Sequence, residues 1–246
     1  MIKKVPPVVM LHHVSDDPSH ESLKPYSISH KSFLQLLDYL DIQQYQTVTF
    51  ADLVHNRKLL PSKRKKVILT FDDCPKHLLD FALPELMKRK MRAVFYMPTA
   101  HLGGYNDWDA AEGRTRVELM NEADLKELCR MGMEVGAHAH HHIKLKEAEA
   151  SIVRNEVITS KKILEAITGE TVCSFAYPFG SVPAGYKQIL SSAGYSYASS
   201  IFHPFENAFA LRRFIYHDGD TNETLRKKLS LIYRCYRMVT DAFKSY

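Results

Sequence analysis

An apolar run, Val67-Ile68-Leu69-Thr70-Phe71, ends in two adjacent carboxylates, Asp72 and Asp73. About 65 residues later the chain sets four histidines in five positions, His138, His140, His141 and His142, around Ala139. One carboxylate and two imidazoles four residues apart can make a three-ligand metal site with positions left open for water and substrate. The second carboxylate then stands beside the ligand as a base, and hydrolysis is the chemistry this arrangement suits. Taken singly, each signal has a plain structural reading, since acids are common where strands turn and a histidine run can be a solvated loop. Together, ending two strands of one barrel, they point to a metal.

The elements that must position these groups alternate short apolar runs with helical periodicity, the pattern of βα units. The apolar runs are Pro7–Leu11, Thr47–Phe50, Val67–Phe71, Ala93–Met97, Met133–Ala137, Val172–Tyr177, Tyr195–Ser199 and Leu211–Tyr216. Phe33, Leu36, Leu37 and Leu40 recur at helical spacing behind Ser29 or Ser32 as a cap. Leu79, Leu83, Leu86 and Met87 mark another helix, Asn121 caps one that ends near Gly132, and Val153, Val157, Leu164 and Ile167 line one that Gly169 closes. A helix over Tyr186–Ala193 stops at Gly194, and a last one starts near Thr224 with a stripe of Leu225, Leu229, Ile232, Tyr236 and Phe243. Residues 101–120 read as an insertion or long loop. The pattern predicts a distorted (β/α)7–8, TIM-like barrel formed as a single domain over 1–246. His12, Asp72, Asp73, His138, Pro178 and His217 each directly follow a predicted strand, the end at which such barrels build active sites.

Composition narrows the class. Hydrophobic content of 45% and charged content of 25% are those of an ordinary globular protein, and no apolar run approaches the roughly 18 residues needed to span a bilayer. The amino terminus has two lysines, but Pro6 and Pro7 interrupt the apolar stretch, so cytoplasmic localisation is expected unless a signal has been removed. Cys74, Cys129, Cys173 and Cys235 lie far apart, with neither zinc-knuckle nor disulfide spacing. The net charge is +5 with no nucleic-acid motif, and Lys63-Arg64-Lys65-Lys66 reads as a solvated strand entry, so no nucleic-acid partner is expected. Arg226, Lys227, Lys228, Arg234, Arg237 and Lys244 flank the last apolar stripe, which suits either packing on the barrel or peripheral contact with an anionic membrane.

Three segments resemble, in order, the motifs of the polysaccharide deacetylases, the NodB-homology group or carbohydrate esterase family 4. They are Thr70-Phe71-Asp72-Asp73, Gly136-Ala137-His138-Ala139-His140-His141-His142 and Phe175-Ala176-Tyr177-Pro178-Phe179-Gly180. Met10-Leu11-His12-His13 and the segment from Gln44 to Leu53 further resemble the subgroup of biofilm poly-N-acetylglucosamine deacetylases. The resemblance implies a metal-dependent hydrolase that removes N-acetyl groups from an amino sugar or polysaccharide. Asp72 is then the catalytic base, Asp73, His138 and His142 are the metal ligands, and Tyr177, Pro178 and Phe179 are substrate-binding, with the Phe179 N–H helping to hold an oxyanion. The general acid is expected to be His12, with His217 as the other candidate; His13 should point away by strand alternation. The implied cofactor is a divalent metal, zinc first, with cobalt, nickel or iron also suited, and the implied partner is an N-acetylated glycan or glycan precursor.

The sequence departs from that pattern. Cys74-Pro75 replaces a glycine after the acids, Ala139 replaces a hydroxyl residue, and Ala176 stands where the family has an arginine, for which Arg212 or Arg213 is a substitute near Asp72. The Asp-x-x-Asp-Trp motif is missing. Trp108 is either a sugar platform or an anchor for its own loop. Two rival activities stay open: a cyclic amide or ureide hydrolase on the same scaffold, and a catalytically silent glycan-binding protein.

Overall fold

The structure, a computed structural model, describes residues 5–55, 64–201, 203 and 206–242. In chain order the strands are β1 (Val8–Leu11), β2 (His13–Val14), β3 (Ser27–Ile28), β4 (Gln46–Thr47), β5 (Lys66–Phe71), β6 (Val94–Met97), β7 (Glu134–Ala137), β8 (Ser174–Ala176), β9 (Tyr197–Ser200) and β10 (Leu211–Ile215). The helices are α1 (His30–Ile42), α2 (Phe50–Val54), α3 (Ala82–Lys88), α4 (Asp107–Ala110), α5 (Glu122–Arg130), α6 (Ala150–Thr168), α7 (Tyr186–Ser192), α8 (Asn222–Lys228) and α9 (Leu231–Ala242). Seven parallel strands close a barrel, because β1 pairs on one side with β5 (Val8↔Ile68) and on the other with β10 (Val8↔Arg213). The ring then runs β5, β6, β7, β8, β9, β10. The short β4 pairs only with the start of β5 (Thr47↔Val67), and β2 and β3 make a separate parallel pair (His13↔Ser27).

Alternation along each strand sorts its residues between two layers. Val9, Leu11, Val67, Leu69, Phe71, Phe95, Met97 and Phe175 face outward and share one core with Phe33, Leu36, Leu83, Leu125 and Val157 from the helices. Val8, Ile68, Val94, Tyr96, Cys173 and Leu211 face inward and fill the floor with Val48 and Phe50. The inward set continues upward to Met10 and His12 on one strand, and to Thr70 and Asp72 on another. Catalytic candidates are thus the topmost layer of the barrel filling.

Local chemistry explains the boundaries. Ser29 caps α1 by accepting from Ser32 N–H, Asn121 and Asp124 form a capping box on α5, and Gly169 closes α6 at φ 71°. Three expectations need correction. Of the run Thr47–Phe50 only Thr47 is strand, as the end of β4, because Thr49 makes a capping box with Asp52 and turns Phe50 into a helix and the barrel floor. Residues 101–120 are not a bare loop: they carry α4 and fold back through the bridges Tyr105↔Glu118 and Pro75↔Leu119. The last helix is two, broken where the Ser230 hydroxyl accepts from Tyr233 N–H, and its stripe splits, with Leu225 and Leu229 buried but Ile232 and Tyr236 exposed. Lys63, Phe243 and Lys244 lie outside the described residues.

Gly136 on β7 faces the barrel interior, where a β-carbon would stand 2.4 Å from Tyr96 Cε1 and 2.9 Å from Ser174 Oγ. The alanine variant must push the Tyr96 ring off its seat in a close-packed floor. Gly136→Ala is expected to lower unfolding stability by about 1–3 kcal/mol, read from urea denaturation followed by circular dichroism.

Candidate active site

The inward strand ends bring the sequence-predicted residues to one cavity of about 360 Å³ at the carboxyl end of the barrel, a size within the usual range for small-ligand sites. Its lining includes His12, Asp72, Asp73, His138, His142, Tyr177 and Phe179. Pro178 is buried and does not line it. His217 does not reach it either; it is exposed beyond β10, with its N–H donated to Asp220.

Asp73 Oδ1 lies 3.3 Å from His138 Nε2 and 3.2 Å from His142 Nε2, and all three side chains are buried. His138 Nδ1 is 2.8 Å from the Ala176 carbonyl. A carbonyl only accepts, so Nδ1 carries the proton and Nε2 turns its lone pair toward Asp73. Two lone-pair atoms that close, with Asp73 Oδ1 otherwise unpartnered, call for a cation between them. Ligands about 2.0–2.1 Å from a tetrahedral ion stand roughly 3.3–3.4 Å apart, which matches both separations. The donor set fits a divalent metal. Burial alone would raise the Asp73 carboxyl, but the His142 and His138 imidazoles outweigh it and hold it well below the usual carboxylate range.

Asp72 points the other way from the same turn. Arg213 grips it bidentately, Nη1 to Oδ1 at 2.6 Å and Nη2 to Oδ2 at 2.7 Å, while Nη1 also reaches Thr70 Oγ1 at 3.2 Å. Burial would raise this carboxyl too; the guanidinium, with His138 next, reverses that and keeps it ionised. Arg213, rather than Arg212, therefore replaces the arginine missing at Ala176. Strand alternation separates the two, since Arg212 bonds the His203 carbonyl. His12 Nε2 stands 3.8 Å from Asp72 Oδ2, with its ring against Tyr26. His13, one residue on, turns out of line and stacks on His77 with ring centroids 5.3 Å apart.

The backbone that aims these groups is strained. Of seven non-glycine residues with positive φ among the described residues, five sit here: Asp73, Cys74, Ala139, His142 and Phe179. Each such residue costs on the order of 1 kcal/mol and persists only where its surroundings hold it. For the histidine turn the holder is Glu156 on α6, buried, whose Oε2 accepts from the N–H groups of His140 (2.8 Å) and His141 (2.7 Å). Sequence reasoning missed Glu156; its one trace was an acid lying among Val153, Val157 and Leu164 on an otherwise apolar helix face. Cys74 is buried and outside the ligand group, with burial and then Asp73 pushing its thiol well up, so it fills the turn as a neutral side chain.

The walls combine the third motif with segments that carry none. Trp108 stacks on His142 at 3.9 Å and lines the cavity, so it holds a ligand ring as well as facing the open space. Tyr26, Asp109 and Arg114 add a rim, with Arg114 paired to Asp109 at 3.0 Å and set over the Tyr26 ring. Tyr177 gives its hydroxyl to the Phe209 carbonyl at 2.7 Å and is part of the wall's packing. Phe179 stays 46% exposed, beside the His142 ring, and offers an open aromatic face.

Comparison with known proteins gives the family. The polysaccharide deacetylase family profile matches residues 60–198. The chain belongs to the polysaccharide deacetylase family, and its enzymatic class is carbohydrate N-deacetylation. The poly-beta-1,6-N-acetyl-D-glucosamine N-deacetylase of Staphylococcus aureus is 24% identical over 224 residues, covering 85% of this chain and 74% of that protein. Among solved structures, the Streptococcus pyogenes deacetylase PplD in complex with acetate superposes with a TM-score of 0.76 at 20% identity, over 92% of this chain and all of that one. IcaB from Ammonifex degensii superposes with a TM-score of 0.72 at 22% identity, over 91% and 96% of the two chains. These two likenesses show the barrel fold.

Two outcomes are expected from this geometry. Glu156→Ala should weaken metal binding by about 10–100-fold, read by competition with a chromophoric chelator on the metal-free protein, while Glu156→Gln, which keeps an accepting oxygen, restores most of it. The second concerns pH. Burial, then His20, lowers His77 to about 4, and burial, then His77, lowers His13 well below its usual value. A histidine depressed in the fold contributes stability that is complete above its unfolded value of about 6.5 and is lost as pH falls from there toward 4. His77→Phe should flatten the loss of melting temperature over that window.

Proposed function

We propose that this protein hydrolyses the N-acetyl groups of N-acetylglucosamine units in a β-1,6-linked glycan, using a zinc ion held by Asp73, His138 and His142. The observation that carries the reading is the division of labour within one turn: Asp73 faces the Nε2 atoms of two imidazoles while its neighbour Asp72 faces Arg213. An ion held there supplies polarisation of the amide carbonyl and acidifies a water beside it. The named substrate of the S. aureus relative supports the choice of sugar.

The chain's own residues then do the following. Asp72, kept ionised and fixed in direction by Arg213, takes a proton from the attacking water as general base. Each of its oxygens retains a second lone pair after accepting from the guanidinium, so the grip does not block the transfer. His12, on the opposite side of Asp72 and against Tyr26, donates a proton to the departing amine. The Phe179 N–H, at a turn held in the left-handed region, is offered to the developing oxyanion, and the exposed Phe179 ring packs against the sugar. Trp108 and Phe179 flank His142 and exclude water from the ligand side. The donors and Asp72 are all in place, while Cys74 and Ala139 leave the facing atoms untouched, which favours an active enzyme over a silent binding protein.

The test is acetate release from β-1,6-linked N-acetylglucosamine oligomers, with chitooligosaccharides and allantoin as comparators. Zinc-loaded protein should release acetate from the first substrate at the highest kcat/KM. Asp73→Ala should lose both bound metal and turnover. Asp72→Asn should keep the metal and lose about 10²–10⁴ in kcat. Full activity and metal content in Asp73→Ala, or turnover of allantoin without acetate release, would overturn the assignment.

A further inference from the structure

The helix α9 is amphipathic with its faces reversed. Its polar side is turned inward, where Arg234 is bound to both oxygens of Glu206, at 2.9 and 2.8 Å from Nε, and donates to the Val5 carbonyl at 2.8 Å. Its apolar side is turned to solvent. Leu231 is 45% exposed, Ile232 82%, Tyr236 61% and Val239 61%, and Cys235 between them is exposed as well. At about 100° per residue these five positions occupy one continuous arc of roughly 140°. Every exposed residue over 231–240 is apolar. A helix that spends its charged side on the protein and presents its greasy side to water lacks a partner.

Charge identifies that partner. From the start of α8 at Asn222 to the end the chain has six basic residues (Arg226, Lys227, Lys228, Arg234, Arg237, Lys244) and two acids, Glu223 and Asp241, a net +4. The whole chain has 33 basic and 28 acidic residues, so the remainder has 27 basic and 26 acidic, a net +1. Most of the protein's net charge therefore resides on the segment that exposes the apolar arc, although Lys227 is paired with Glu223 at 3.0 Å. Arg226 and Lys227 on α8 are exposed beside it. A cavity of about 580 Å³ lies next to the arc, with Lys65, Lys66, Lys228 and Arg237 in its lining and Leu231 shared between them. Two copies packed arc to arc would bring these like charges together. An anionic polymer in solution would use the charges and leave the arc wet.

We infer that α8 and α9 dock this protein on an anionic lipid surface, with the arc of α9 entering the acyl boundary and the flanking arginines and lysines meeting phosphate headgroups. No helix among the described residues is long and apolar enough to cross a bilayer, so the contact is interfacial. Arg234 and Glu206 tie α9 to Val5, ahead of β1, and to Arg212 N–H at the start of β10. That is the amino end of the barrel, opposite the cavity that holds Asp72 and Asp73. Docking leaves the cavity open to solvent, where a glycan chain can reach it.

The experiment is sedimentation of the full chain with vesicles of phosphatidylcholine alone or mixed equally with phosphatidylglycerol. Binding to the mixed vesicles should exceed binding to the neutral ones by at least about tenfold and weaken with salt. Ile232→Ser with Tyr236→Ser and Val239→Ser should abolish it, and Arg226→Glu with Lys227→Glu should weaken it and reduce its salt dependence. Acetate release from a soluble oligosaccharide serves as the control for folding and should be unchanged by either set. No sedimentation with anionic vesicles overturns the inference, as does equal binding by the serine variant. A stable dimer, seen by light scattering and dissolved by the same substitutions, assigns the arc to a second copy instead and also overturns it.

Discussion

The site depends on a buried carboxylate oxygen set between two imidazole nitrogens. Asp73 Oδ1 is buried, unpartnered by any donor and within 3.3 Å of both His138 and His142. A cation held among these three groups compensates the buried carboxylate, whose charge would otherwise cost several kcal/mol. Much of the surrounding structure can be traced to keeping that convergence. The Ala176 carbonyl fixes the His138 tautomer, Trp108 presses on His142, and Glu156 gathers the N–H groups of a turn that contains two left-handed residues.

A second constraint is the separation of two adjacent carboxylates into two roles. Asp72 and Asp73 would repel if both faced one space. The left-handed conformation at Asp73 and Cys74 turns them apart, so that Asp72 meets the Arg213 guanidinium and Asp73 meets the two histidines. Arg213 reaches Asp72 from across the barrel, and its guanidinium lies over the Tyr96 ring, 5.7 Å from the centroid. Tyr96 in turn packs over Gly136, whose missing side chain makes the room. The base is thereby supported through the barrel filling, three strands deep. This connects a glycine in the floor with the direction of a carboxylate at the mouth.

The two ends of the barrel are specialised differently. The carboxyl end concentrates strain, aromatic rings and titratable groups in one concave space. The amino end is closed by Phe50 and the floor residues and crossed by α9, where exposure of apolar side chains is the unusual feature.

The fold class was legible because buried parallel strands run apolar and amphipathic helices repeat, and both patterns are local. The spacing of His138 and His142, the pairing of Asp72 with Asp73 and the position of each after an apolar run determined which side chains could share an ion. Local sequence also marked the caps at Asn121 and Gly169 and narrowed the first to Ser29 or Ser32, between which the structure chose Ser29. It could not say that Thr49 would end a strand, since Thr-Val-Thr-Phe suits a strand and a helix start alike. It could not choose between Arg212 and Arg213, because register decides which of two neighbours faces inward, and register is a contact between distant strands. Glu156, Trp108 and Tyr26 reached the site through tertiary packing alone. The apolar stripe of the last helix was legible, but whether it faced the barrel or the solvent was decided by the Arg234–Glu206 pairing, an interaction across 28 residues that no periodicity records.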